Sequence, residues 1–168
     1  MASLLIVSSI ISVALSDKVT VDTNYGTIAG IEVGNLYKFM NIPFAEPPID
    51  ELRFMPPQPY NSTWNDNTWD GQAYGQMYFG GYAPACIQEY YGSDNATKLF
   101  GPYVVTEDCL YLNVFTPNTP PSGNSSYAVM VWIYGGSFVS GWSTGGFVYD
   151  PTETIDYIED VIIVSINY

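Results

Sequence analysis

The segment from Val129 to Phe138 constrains the fold more than any other part of the chain. Its first half is a continuous apolar run that predicts a strand. Its second half, Gly135-Gly136-Ser137, is a turn of small residues that presents backbone N–H groups. A second apolar run, Val161 to Asn167, follows after a crossover of about 25 residues, the connection that joins two parallel strands. We therefore predict an α/β fold with a central, mostly parallel sheet.

The N-terminal part of the chain predicts a different kind of sheet. Three short segments rich in β-branched residues, 19–23, 26–33 and 36–42, are separated by turn residues and predict a small antiparallel meander leading into the central sheet. Prolines between 43 and 60 disfavour a central strand or a long helix there. Further elements are predicted as follows: strands at 110–116 and 128–134, whose spacing favours a hairpin, and a short helix at 151–159.

Charge and composition exclude several classes of partner. The chain carries 17 acidic and 4 basic residues, a formal charge of −13, which argues against binding to nucleic acid or to anionic membranes. It contains no histidine, which removes His-based metal sites, and it has no G-x-x-x-x-G-K phosphate loop. We therefore expect no metal and no cofactor.

The N-terminus and three glycosylation sequons suggest a secretory route. Residues 1–16 read as a signal peptide, with the small residues Ala14 and Ser16 before the expected cleavage point, although an uncleaved anchor or a helix of the fold remains an alternative. No later segment is apolar for long enough to span a bilayer. The sequons predict glycosylation at Asn61, Asn95 and Asn124 of a secreted protein.

Cys86 and Cys109 are the only cysteines. An oxidising compartment favours one disulfide between them, and two buried free thiols are the alternative. In the chain-entropy treatment, closing a loop of about 24 residues stabilises the fold by about 3.4 kcal/mol.

Several motifs in order carry a family resemblance. They are Phe39-Met40-Asn41-Ile42-Pro43-Phe44-Ala45-Glu46-Pro47-Pro48, Leu52-Arg53-Phe54, Glu107-Asp108-Cys109-Leu110-Tyr111-Leu112-Asn113-Val114, Tyr134-Gly135-Gly136-Ser137-Phe138 and Val164-Ser165-Ile166-Asn167-Tyr168. Together they resemble the type B carboxylesterase and cholinesterase family of α/β-hydrolases. The similarity spans about residues 19–168, so residues 17–168 are interpreted as the N-terminal part of such a domain.

The resemblance implies roles for particular residues. Gly136 and Ser137 would donate their N–H groups to the oxyanion of the reaction, and Gly135 would permit the turn. Ser137 stands where the family usually has a third glycine, and its Cβ restricts φ. Arg53 and Glu107 would form a salt bridge that holds the disulfide loop, the alternative being two solvated charges.

The resemblance also implies machinery that the chain is expected to lack. A serine hydrolase needs a nucleophile on a strand-to-helix elbow, an acid and a His base. Since the chain has no histidine, we expect the Ser/acid/His triad to be absent and the segment alone to be inactive. The leading hypothesis is the N-terminal segment of a secreted carboxylic ester hydrolase whose substrate is a small-molecule ester. The alternatives are a noncatalytic, neuroligin-like module with a protein partner and a truncated product without activity.

The disulfide prediction can be checked by mass spectrometry. The unreduced, denatured protein is expected to take up no alkyl group, because both sulfurs are bonded. After reduction it should take up two, one on each cysteine. Two alkyl groups on the unreduced protein would contradict the disulfide.

Overall fold

The described residues form mainly strands. The computed structural model describes residues 18–61, 68–71, 75, 82, 84–88, 104–119, 121, 126–144, 149–158 and 160–168. The strands are β1 Lys18–Thr23, β2 Gly26–Val33, β3 Leu36–Pro43, β4 Trp69–Asp70, β5 Ala85–Cys86, β6 Val105–Thr106, β7 Tyr111–Pro117, β8 Ala128–Ile133 and β9 Val161–Ile166. A 3₁₀ turn covers Asp50–Leu52, and helix α1 covers Thr152–Ile158.

Three predictions fall outside these ranges: the signal peptide at 1–16 and the sequons at Asn95 and Asn124. Within the described ranges, no helix is both long and apolar enough to cross a membrane.

The main sheet is mixed. Its strand order is β1-β2-β3-β7-β9-β8, with β4 added beside β2, while β5 and β6 form a separate parallel pair. The predicted parallel pair joined by a crossover is confirmed, because β8 and β9 run parallel in register from Ala128↔Val161 to Ile133↔Ile166. The prediction of a mostly parallel sheet is wrong for the described residues, since β1, β2, β3, β7 and β9 pair antiparallel in succession.

The predicted N-terminal meander is confirmed. β1 and β2 are joined by a two-residue turn, and β2 and β3 by another. Gly26 and Gly34 have φ of 123° and 63°, backbone conformations that glycine adopts without steric cost. In the first turn, the hydroxyl of Thr23 accepts from the N–H of Tyr25 and donates to the carbonyl of Gly26. Local turn chemistry therefore sets the register of the meander.

The hairpin predicted between 110–116 and 128–134 is wrong. β9 lies between β7 and β8, so Val164 pairs with Val114 on one side and with Val131 on the other. The connection 118–127 is longer than the roughly two to five residues of a typical hairpin loop, so it allows the chain to pass β9. β9 thus takes the interior position, whereas β8, which is equally apolar, lies at the edge of the described sheet with all six residues exposed.

The hydrophobic core lies between the sheet and α1. Its buried members come from β3, β7, α1 and β9: Leu36, Met40, Phe115, Ile155, Val161 and Ile163. Leu36 and Phe115 are fully buried. Burying side chains of this size stabilises the fold by about 1.5 to 3 kcal/mol each, which holds the short helix α1 against the sheet.

An ion pair ties β3 to the start of α1. Lys38 Nζ lies 2.8 Å from Asp150 Oδ2, and the two side chains are only 14% and 17% exposed. Asp150 also accepts from the backbone N–H of Thr152, the first helical residue, at 3.0 Å and from the Tyr82 hydroxyl at 3.1 Å. Burial alone would raise the pKa of Asp150, but the hydrogen bonds from Lys38 and Thr152 and the charge of Lys38 lower it overall.

This ion pair generates a pH-dependent prediction. Lys38→Met is expected to lower the free energy of unfolding at pH 7 by about 3 kcal/mol, because a mostly buried carboxylate loses its counter-ion. Because the folded-state pKa of Asp150 is lowered, the stabilisation is present above the unfolded-state pKa of about 3.9 and is lost as the pH falls through the folded-state value. The difference in the free energy of unfolding between variant and wild type, measured by urea unfolding, should therefore be smaller at pH 3 than at pH 7.

The matched control is Lys18→Met, because the Lys18 side chain is 68% exposed in its ion pair with Asp70. Its cost should stay below about 1 kcal/mol at both pH values. A Lys38→Met effect that is equally small, or that is unchanged at pH 3, would contradict a stabilising role of the buried pair.

Candidate active-site loop

The glycine loop, defined as residues 135–141, begins where the parallel strand β8 ends. Its backbone takes unusual conformations, with φ of 149° at Gly136, 57° at Ser137 and 59° at Phe138. The turn is closed by the N–H groups of Val139 and Ser140, which donate to the Gly136 carbonyl at 3.0 and 3.2 Å. This tight turn is exposed at the carboxyl end of the parallel pair, the edge where α/β sheets place their ligands.

The predicted oxyanion donors are available to an external acceptor. Among the described residues, no protein acceptor pairs with the N–H groups of Gly135, Gly136 or Ser137. All three residues are exposed. Unpaired, preoriented N–H groups of this kind stabilise a negative oxygen that develops during acyl transfer.

The sequence interpretation gave the turn to Gly135, whereas in the structure Gly136 is the residue whose conformation the turn requires. A Cβ at Gly136 would lie 1.7 Å from the Ser140 carbonyl oxygen, and one at Gly141 would lie 2.4 Å from the Tyr134 ring. A Cβ at Gly135 would meet nothing within 4 Å. The turn therefore depends on Gly136 and Gly141, whereas Gly135 leaves open space beside the unpaired amides.

Ser137 adopts the left-handed conformation that glycine would take without strain. Its φ of 57° places a Cβ where L-residues lose about 1 to 2 kcal/mol. Its backbone N–H is retained, so the departure from the family pattern preserves the donor. The residue and its neighbour Phe138, whose side chain is 97% exposed, both lie on the outer surface of the turn.

Buried amide side chains hold Ser143, which follows the glycine loop by two residues. Asn167 Oδ1 accepts from the N–H of Ser143 at 2.7 Å, and Asn113 Nδ2 donates to the Ser143 hydroxyl at 3.3 Å. Both asparagines are almost fully buried. The sequence interpretation missed them as site residues, although polar residues inside apolar strands were the available signal.

Two tyrosines join the ends of the parallel strands beside the loop. The rings of Tyr134 and Tyr168 stack with centroids 4.5 Å apart. Each hydroxyl donates to the backbone carbonyl of the other residue at 3.1 Å. Burial is the main cause that raises the pKa of Tyr134, so its hydroxyl stays protonated and remains a donor.

A serine motif that the sequence interpretation overlooked also lies here. Gly141-Trp142-Ser143-Thr144-Gly145 fits the G-x-S-x-G pattern of a nucleophile elbow. Ser143, however, is buried, and both its N–H and its hydroxyl are engaged by asparagines. It also lies in a loop rather than at the exposed strand-to-helix turn that a nucleophile needs. Ser143 is therefore a structural residue.

Residues 86–88, at the start of the segment that the disulfide closes, lie next to the glycine loop. Cys86 and Cys109 are joined by a disulfide in the structure. Arg53 makes a two-point contact with Glu107, Nε to Oε1 and Nη2 to Oε2, the second at 2.6 Å. The hydrogen bond from Arg53 lowers the pKa of Glu107. Both side chains are partly exposed, so this contact contributes little to the stability of the fold.

The remaining site predictions concern glycosylation and metals. Asn61 is exposed, and its backbone N–H donates to Glu46 Oε1 at 2.7 Å. No group of three or more potential metal-ligating side chains occurs in the part of the chain that the structure describes.

The fold and the loop define an α/β-hydrolase, and comparisons with known proteins give the family. The carboxylesterase family matches residues 17–168, so the chain belongs to this family. Acetylcholinesterase of Electrophorus electricus is 38% identical over 168 residues, which cover 94% of this chain and 24% of that protein. Carboxylesterase 1D of Rattus norvegicus is 40% identical over 138 residues, 77% of this chain and 21% of that protein.

A solved structure supports the same fold. A thermophilic PNB esterase superposes with a TM-score of 0.73 at 34% identity, covering 89% of this chain and 27% of that one. The predicted fold class is confirmed. The chain spans about a quarter of the length of these relatives.

The glycine loop generates a paired stability prediction. Gly136→Ala is expected to destabilise the protein by at least about 3 kcal/mol, since its Cβ collides with backbone and its φ is unfavourable. Gly135→Ala should change stability by less than about 1 kcal/mol, because the added methyl group meets open space. Thermal unfolding of both variants tests this, and equal effects would contradict the assigned roles.

Proposed function

We propose that the complete protein containing this chain hydrolyses small carboxylic esters, with the glycine loop serving as its oxyanion hole. The observation that carries the proposal is that the N–H groups of Gly136 and Ser137 are exposed at the carboxyl end of β8 and have no acceptor among the described residues. Family membership supports the same reaction class. Each such donor accelerates acyl transfer by about 10²- to 10³-fold.

In the proposed reaction, a serine outside the described residues attacks the ester carbonyl. The carbonyl oxygen becomes negative and accepts from the N–H groups of Gly136 and Ser137. A base takes the proton of the serine during the attack and gives it to the alcohol as the ester C–O bond breaks. Water then attacks the acyl-enzyme, which releases the acid and returns a proton to the serine. The histidine base has to come from residues outside the 168 of this sequence, which contains none.

We also infer a secretory route for the protein. The apolar leader at 1–16, the sequons and the disulfide support it. Asn61 is exposed and therefore available to a glycosyl transferase. The excess of acidic residues supports high solubility rather than a charged partner.

The proposal is tested by assaying the complete protein with p-nitrophenyl esters from acetate to octanoate. Wild type should turn over at least one of them. Ser137→Gly, which keeps the N–H and suits the positive φ, should retain kcat within about threefold. Ser137→Pro, which removes the N–H, should lose at least about 100-fold.

Thermal unfolding of both variants controls for misfolding, because proline also conflicts with the φ of residue 137. Wild-type protein that is folded but turns over none of the esters would overturn the proposed activity and favour a noncatalytic interaction module. A folded Ser137→Pro variant with full activity would remove residue 137 from the oxyanion hole.

A further inference from the structure

The side chain of Gln88 pairs with the backbone of the glycine loop. Its Oε1 accepts from the N–H of Gly141 at 2.8 Å, and its Nε2 donates to the carbonyl of the same residue at 2.9 Å. Nε2 also donates to the Cys86 carbonyl at 3.1 Å. The amide group of Gln88 therefore binds both the N–H and the carbonyl of Gly141, as the backbone of a neighbouring strand would. It also connects Gly141 to the backbone of Cys86.

The backbone of Gly141 is closely constrained and lies next to the turn of the glycine loop. Its φ of 130° and the close approach of the Tyr134 ring fix its backbone. The preceding residue, Ser140, donates its N–H to the Gly136 carbonyl at 3.2 Å. A displacement of Gly141 would therefore move Ser140 and, through its hydrogen bond, the turn that contains the N–H groups of Gly136 and Ser137.

A second amide side chain provides a parallel tether. Asn167 accepts from the N–H of Ser143 and donates to the Cys109 carbonyl at 2.8 Å. The carbonyls of both disulfide-bonded cysteines therefore accept from amide side chains that also hold residues 141 and 143. The two disulfide-bonded cysteines are thus connected to residues 141 and 143 through Gln88 and Asn167.

Gln88 also faces the open surface beside the candidate site. A cavity of about 210 Å³ is lined in part by Cys86, Gln88, Tyr134, Phe138, Gly141 and Tyr168. Gln88 is only partly buried there. The side chain could bind water but makes hydrogen bonds to Gly141 instead. It therefore sets the position of the loop and does not fill the core.

We propose that Gln88 is a positioning residue for the ester hydrolysis inferred above, and this proposal rests on that function. By fixing Gly141 to the disulfide loop, Gln88 keeps the N–H groups of Gly136 and Ser137 aimed at the acyl oxygen. Displacing catalytic groups by about 1 Å costs on the order of 100-fold in rate. Substrate binding in the ground state depends less on this aim than the transition state does.

The test compares three variants of the complete protein. Gln88→Met keeps the length but removes every hydrogen bond, and Gln88→Glu keeps the acceptor for Gly141 but loses the donors. Both should lower kcat for the best p-nitrophenyl ester by about 10- to 100-fold, with KM changed by less than about threefold. Gln58→Met is the matched control, because Gln58 Nε2 donates to the Pro56 carbonyl at 2.8 Å with the same two-residue spacing but without contact to the glycine loop.

An oxyanion mimic separates positioning from general damage. A trifluoromethyl ketone forms a negatively charged adduct with the nucleophile, so its affinity for Gln88→Met should fall in parallel with kcat/KM. Wild-type kcat in Gln88→Met would overturn the proposal. A loss confined to KM or to the melting temperature would also overturn it, because a merely structural residue gives that pattern.

A separate experiment distinguishes failure of the hydrolase proposal from failure of the role proposed for Gln88. If folded wild-type protein turns over no ester, the hydrolase proposal fails, and amide hydrogen exchange of the peptide 134–144 then decides on Gln88. Faster exchange of this peptide in Gln88→Met than in Gln58→Met would retain Gln88 as the residue that positions the loop. Identical exchange in the two variants would overturn it.

Discussion

The described structure depends on the hydrogen bonding of two buried asparagines. Asn113 accepts from the N–H of Asn41 and donates to the hydroxyls of Ser143 and Ser165. Asn167 accepts from the N–H of Ser143 and donates to the carbonyls of Pro84 and Cys109. Leaving a buried polar group without its partner costs about 1 to 3 kcal/mol. The two side chains therefore hold the strands, the bulge in β3 and residue 143 in one arrangement. Moving any one of these elements would leave buried polar groups on the others without hydrogen-bond partners.

The bulge in β3 shows how the network reaches the meander. Register between β3 and β7 shifts between Phe39 and Ile42, and Asn41 has a φ of 56°. The irregular backbone is satisfied from several sides: its N–H by Asn113 and its carbonyl by the indole of Trp69 at 3.0 Å. The Asn41 side chain donates in turn to the Gly71 carbonyl at 2.6 Å. A strained residue thus links the antiparallel strands to the connection after them.

Local pattern predicted the elements and some of their neighbours, but not the place of β9 between β7 and β8. Alternation and turn residues were enough for the meander, α1 and the parallel pair, because these signals lie within short stretches of sequence. The position of β9 between β7 and β8 is nonlocal, and the sequences of β8 and β9 do not predict it because both strands are apolar on both faces. Gly135 and Gly136 are the same residue type, so only the surrounding atoms distinguish the one that makes the turn. Likewise, the environment of Ser143, not its motif, shows that it is structural.

The charge distribution explains why backbone amides suit this site. The three basic residues within the described part of the chain, Lys18, Lys38 and Arg53, are each paired with a carboxylate, and none contacts the glycine loop. Within the described residues, no basic side chain is therefore left to supply positive charge at the loop. Backbone N–H groups carry no net charge and do not titrate, so their donation to an oxyanion depends only on geometry. For the proposed oxyanion hole, the hydrogen bonds of Asn113, Asn167 and Gln88 are the contacts that fix this geometry.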